Sequence, residues 1–335
     1  MIEPEPIEGP TVRTPGPANP EVTHQIPDGA DSDVRRFDRR PARRPGPPDA
    51  PQDRHSTGLS PGTPRFLAPV GFAVLLVLVQ ISYPLSSGVT RDRVTIAVVL
   101  LSAGTALVHA AATRGVRYAV GFLVIVSGLG LLAEIVGTAT GFPFGCYDYA
   151  DGRSGPAVAG VPLVVALAWT GGLYPVRVVA ELLTRRTAGR IALTAVGAVG
   201  WDLFLDPQMV ADGQWLWCAT GWGLPGLDEI PYTNYLGWFA VALVMAVLLT
   251  ALDRMAGTRA VSAFAVPTAR ESQRLGSLIP IGALVPVAVF VWTWLGSTLA
   301  HAVFLDLPYS AWYGCVGLGV LGVPLLVRLA GARRD

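Results

Sequence analysis

The chain has 335 residues, 51% of them hydrophobic and 15% charged, with a formal net charge of +1. Soluble domains carry about 25% charged residues, so the composition points to a polytopic membrane protein, and the near-neutral charge excludes a global field for nucleic acid. The three cysteines, Cys146, Cys218 and Cys315, have no CxxC spacing, which argues against a structural zinc or a disulfide framework.

Residues 1–64 hold half of the prolines, few large apolar side chains and the run Arg35-Arg36-Phe37-Asp38-Arg39-Arg40. Such a segment cannot bury enough surface to offset its ordering entropy, and is expected to be a disordered cytoplasmic tail. Its first apolar segment starts too late for a secretion signal.

From residue 65 the chain reads as an all-α, polytopic membrane helical bundle of about eight transmembrane helices, over 65–330, with a short cytoplasmic tail at 331–335. The apolar runs fall at approximately 66–86, 94–113, 116–137, 158–183, 191–206, 234–252, 278–298 and 311–329. With both termini cytoplasmic, the inner loops hold Arg114, Arg117, Arg185, Arg186, Arg190, Arg254, Arg259, Arg270 and Arg274. The outer loops hold Arg91, Arg93 and Arg153. That asymmetry obeys the positive-inside rule and places the protein in the plasma membrane as a multi-pass chain.

The unusual residues then gather at the outer boundary. Glu134 ends the third segment. Asp202 and Asp206 end the fifth, and their i, i+4 spacing puts them on one helical face. Pro207 fits a helix that stops just beyond them. A carboxylate in lipid costs about 2.5–3.5 kcal/mol at a helix centre on insertion scales, so three of them beside one boundary point to a functional site. The loop Gly141-Phe142-Pro143-Phe144-Gly145-Cys146-Tyr147-Asp148-Tyr149 and the start of the sixth segment, Asn234-Tyr235-Leu236-Gly237-Trp238, add aromatics and an amide. The tryptophans of the loop 207–233 read singly as an interfacial belt.

Other polar residues carry less. Arg177 and Glu181, at i, i+4 near an inner end, are expected to pair or to snorkel. His109 reads as a packed histidine, and His301 and Asp306, in the last outer loop, as marginal candidates for the site. Only His109 and His301 fall within 65–330, too few for the histidine ligands of membrane di-iron hydroxylases. Gly128-Leu129-Gly130-Leu131-Leu132-Ala133 follows no strand, so it is no dinucleotide fingerprint, and no P-loop is present. Cofactor-free chemistry, without a metal, is the expectation.

Three blocks in order, E-x-x-G-T-x-T-G-F-P-F-G-x-Y-x-Y from Glu134, W-D-L-F-L-D-P-Q-M-V-x-x-G-x-W-x-W from Trp201 and N-Y-L-G-W from Asn234, resemble the carotenoid biosynthesis membrane proteins that act as carotenoid 1,2-hydratases, bisanhydrobacterioruberin hydratase among them. The resemblance covers about 66–330. It departs at Gly221–Pro231, where the family is expected to have a shorter link, which leaves open the end group accepted. It implies addition of water across the terminal C1=C2 bond of an acyclic carotenoid, C40 or C50, giving a tertiary alcohol. Asp202 is then expected as proton donor, with Asp206 or Glu134 handling the water. Trp201, Tyr147, Tyr149, Phe144 and Trp238 would line the substrate pocket, and Asn234 would hold the water. Partners would be the lipophilic carotenoid, membrane lipid and other enzymes of the pathway.

Two other functions compete. Asp202-x-x-x-Asp206 resembles half of the paired Asp-rich motifs of prenyl transferases and lycopene elongases, but the N-D-x-x-D half is missing. A non-catalytic carotenoid carrier or assembly partner would keep the aromatics without needing three carboxylates.

Overall fold

The computed structural model describes residues 66–218, 222–257 and 281–331. The tail 1–64, the C-terminal residues 332–335, and Arg259, Arg270 and Arg274 lie outside the described residues. Among the described residues, eight helices form the bundle: α1 (Leu67–Ser82), α2 (Gly88–Arg114), α3 (Val116–Thr140), α4 (Leu163–Leu183), α5 (Thr187–Ala211), α6 (Tyr232–Met255), α7 (Leu284–Phe304) and α8 (Pro308–Gly331). Seven are long and apolar enough to cross a membrane. The exception is α1, whose 16 residues reach about 24 Å at 1.5 Å per residue, short of a hydrocarbon core of about 30 Å.

At the centre stands α4, buried along nearly its whole length. It packs against α2, α3, α5, α7 and α8, while α5 also meets α6 and α8. Close approach of α5 to α8 depends on two glycines: a Cβ at Gly200 would lie 2.6 Å from the Gly317 carbonyl carbon, in the manner of small-residue contacts between membrane helices.

Two helix ends differ from the sequence expectation. Pro207 does not stop α5, and lies inside it. A proline lacks the N–H that would bond the carbonyl four residues back, here that of Leu203. In α5 that carbonyl accepts the Ser310 hydroxyl of α8 at 2.8 Å, so the helix continues without a stranded acceptor. Likewise Glu134 does not end α3, which runs on to Thr140. All three carboxylates are therefore at least one helical turn inside their helices.

The described residues also include six short strands: β1 (Tyr147–Tyr149), β2 (Ala157–Val158), β3 (Val161–Pro162), β4 (Trp215–Trp217), β5 (Gly223–Leu224) and β6 (Leu227–Pro231). They pair as three antiparallel ribbons, β1 with β4, β2 with β3 and β5 with β6. All arise from the two loops that follow α3 and α5, and so lie at the bundle end where the carboxylate-bearing ends of those helices emerge.

Candidate functional site

The β1–β4 ribbon places Tyr147 opposite Trp217 and Tyr149 opposite Trp215. A disulfide between Cys146 and Cys218, 72 residues apart, closes the ribbon. This corrects the expectation drawn from cysteine spacing: two loops brought side by side pair cysteines that no local motif could announce. Ion pairs hold the same loops to the start of α2. Arg153 reaches Asp92 at 2.6 Å, Arg91 reaches Asp212 at 3.2 Å, and Gln214 donates to Asp92 at 2.8 Å.

Beneath the ribbon lie the carboxyl groups. Glu134, Asp202 and Asp206 are 4%, 1% and 5% exposed. The Tyr147 hydroxyl donates to Glu134 Oε2, and Tyr149 lies close to the same carboxyl. Burial, with Glu134 beside it, holds the Tyr147 hydroxyl far above the usual tyrosine range, so it stays protonated and donating. On α6, Asn234 Nδ2 donates to Asp206 Oδ2. Asp202 and Asp206 lie against each other; two carboxyl groups can hydrogen-bond each other only with a proton between them. Asp202 Oδ2 has no partner.

No arginine contacts these three groups: the described salt bridges are all elsewhere. Among the described residues no three His, Cys, Asp or Glu side chains gather in metal-holding geometry.

An aromatic wall runs beside the carboxyls. Trp169 of α4 stacks on Trp238 at 4.1 Å and meets Trp201 edge-on at 5.2 Å. Trp238 contacts Phe144 at 4.8 Å, and Tyr147 stacks on Trp217 at 5.4 Å. Small residues make room for it: a Cβ at Gly172 would lie 2.7 Å from the Trp201 ring, and one at Gly237 2.8 Å from Phe144.

Every residue expected from sequence thus falls at one end of the bundle, in three contact groups: Glu134 with Tyr147 and Tyr149, Asp202 with Asp206 and Asn234, and Trp201, Trp238 and Phe144 around Trp169. Two members were missed. Trp169 sits inside an apolar helix, where an aromatic residue gives no sign of function. Tyr235 is buried, its hydroxyl has no partner, and the charges of Asp206 and Asp202 both reach it; it lies within the N-Y-L-G-W block but off the face shared by Asn234 and Trp238. His301 does not join the site. It bonds Gln208 at 3.0 Å and Ser310 at 2.9 Å, and with Gln208 lines a cavity of about 430 Å³ that contains none of the three carboxylates.

A family model described as carotenoid biosynthesis protein matches residues 94–270, more than half of the chain. No curated protein and no solved structure matches it.

Proposed function

The chain belongs to the carotenoid biosynthesis protein family, and from that premise we propose that it hydrates the terminal C1=C2 bond of an acyclic carotenoid end without a cofactor. The observation that carries the reading is the set of three buried carboxyl groups without a cation, one oxygen of which, Asp202 Oδ2, is unpartnered.

Hydration of a trisubstituted alkene needs a proton on C2, which turns the π bond into a C2–H bond and leaves a tertiary cation at C1. Asp202 is the proton donor, drawing on the proton it shares with Asp206. The faces of Trp201, Trp169 and Trp238 lie along the path of the developing cation and stabilise it. Water held by Asn234 and Asp206 attacks C1. Its surplus proton passes to a carboxylate, Asp206 or Glu134, which restores the resting charge. Carbon 1 gains a hydroxyl, carbon 2 a hydrogen, and nothing is oxidised or reduced. Tyr147 and Tyr149 hold Glu134 in place.

The working end would face outward across the plasma membrane, with the C-terminal end of α8 on the cytoplasmic side, because the arginines of the described loops cluster at the opposite end. The test is pigment analysis by chromatography and mass spectrometry of cells making lycopene or a C50 precursor, with and without this chain. A mass gain of one water per reacted end supports hydration. A five-carbon gain points to an elongase, and unchanged pigment points to a carrier.

A further inference from the structure

A cavity of about 430 Å³ lies between the ends of α1 and α7 and the flanks of α2 and α5. That volume is in the range of small-molecule sites. Gln208 stands two residues beyond Asp206 on α5, about 200° around a helix of 3.6 residues per turn, so the cavity is on the far side of α5 from the carboxyl pair. It is a separate site.

Its walls are apolar, with Ile81, Leu85, Leu299 and Phe304 among them, and no Arg, Asp or Glu lines it. Its polar groups are neutral amides, hydroxyls and an imidazole. Trp292 Nε1 donates to Gln80 Oε1 at 2.8 Å; an indole only donates, so the Gln80 carbonyl is fixed on it and the Gln80 amide nitrogen is turned elsewhere. Tyr83, 7% exposed, has its hydroxyl beside Gln208 but makes no hydrogen bond of good geometry. His301 is already engaged by Ser310 and one end of the Gln208 amide. The polar groups of the cavity therefore include the Gln80 amide, the Tyr83 hydroxyl beside Gln208, and the Ser297 hydroxyl.

A second observation points to the same place. The helix α7 breaks into π-helical turns twice, at Trp292–Gly296 and Ala300–Phe304, and both stretches contribute to the cavity wall. Such turns are rare, and where they occur they often mark functional sites.

We propose that this cavity binds an uncharged isoprenoid end bearing a hydroxyl group, the alcohol accepting from Gln80 and bonding Tyr83 while its branched chain fills the apolar part. No Arg lines the cavity to hold a charged phospholipid head, the nearby Arg91 lying over the Tyr83 ring and paired with Asp212, and a plain hydrocarbon chain leaves the polar groups unsatisfied. That the natural occupant is the tertiary alcohol made at the carboxyl site rests on the proposed function. The binding chemistry does not.

The test uses the full chain in lipid nanodiscs and a diazirine-bearing isoprenoid tertiary alcohol beside the matching hydrocarbon. Photolabelled peptides are mapped by mass spectrometry. The alcohol should label Gln80–Leu85 or Gly296–Leu305 about five- to tenfold more than the hydrocarbon, as expected for two hydrogen bonds. The pair Gln80→Leu with Tyr83→Phe should abolish that preference, and Ala300→Trp, which fills the space, should abolish the labelling. Equal labelling by the hydrocarbon, labelling elsewhere or no labelling overturns the proposal. Alcohol labelling in a chain that fails the pigment test upholds this site and sinks only the hydration reading; successful hydration without labelling does the reverse.

Discussion

The two ends of the bundle bury polar clusters of opposite design. At one end Arg114 and Arg177 face Glu181 and Asp253: Arg114 meets Glu181 at 2.5 Å and Asp253 at 3.0 Å, and Arg177 meets them at 2.9 and 2.6 Å. Two cations and two anions close on themselves across α2, α4 and α6. At the other end Glu134, Asp202 and Asp206 have only hydroxyls, an amide and each other. This balanced set ties three helices together, and Arg177 Nη1 is the one nitrogen of that residue left without a partner. An all-acid set has no counter-ion, and under the proposed function that lets one of its members serve as an acid. The two clusters differ in their counter-ions, and the proposed function rests on that difference.

The sharpest break would come at Asp202. Asp202→Asn keeps shape and burial but cannot deliver the proton. Turnover should fall about 10²–10⁴-fold, with membrane level and melting temperature unchanged. Retained turnover would move the acid to Asp206 or Glu134. At the opposite end the same kind of change should do the reverse. Arg177→Met leaves Glu181 and Asp253 short of a partner, and breaking a buried pair costs about 3–5 kcal/mol. The variant should accumulate poorly and melt early, while whatever folds hydrates at the normal rate per molecule. An Arg177→Met protein that is stable but inactive would erase the distinction between the ends.

Much of this contrast could be read from the sequence, and the unread part has a physical reason. Lipid demands long apolar runs, so all eight helices showed, and carboxylates are so rare in such runs that Glu134, Asp202 and Asp206 stood out. Arg177 and Glu181 were paired from their i, i+4 spacing, but Arg114 and Asp253 come from other helices and only folding brings them in. Pro207 misled about the end of α5 because its remedy, Ser310, is 107 residues from the Leu203 carbonyl that it satisfies. The Cys146–Cys218 bond was missed for the same reason. Trp169 was hidden because in an apolar helix a site aromatic and a packing aromatic look alike.

The disulfide sharpens the comparison from outside. Both cysteines are exposed, and they tie the strand carrying Tyr147 to the strand carrying Trp217. By loop entropy such a closure stabilises by about 2–4 kcal/mol. The double change Cys146→Ser with Cys218→Ser should lower the melting temperature and also reduce hydration, while Arg177→Met lowers stability alone. A reductant that cannot cross membranes should reproduce the effect in intact cells if the carboxyl end faces outward; reduction that occurs only after lysis would invert the topology.

The smallest effect is expected at Tyr147, and it tests whether Glu134 belongs with the aspartates or merely stands near them. The Tyr147 hydroxyl is held protonated by burial beside Glu134, so it donates at every pH at which cells grow. Hydrogen bonds to charged groups contribute about 1.5–3 kcal/mol. Tyr147→Phe removes this one and leaves the ring on Trp217. If Glu134 handles the proton released by water, its basicity rises when the donor is lost. The hydration rate should then drop about ten- to a hundredfold at neutral pH, with the acidic limb of its pH profile displaced upward. A fall in rate with an unmoved profile would make Glu134 a structural anchor for the ribbon. The aspartate pair with Asn234 would then be the whole reactive set, and the functional end of the bundle would be one helix pair, α5 with α6.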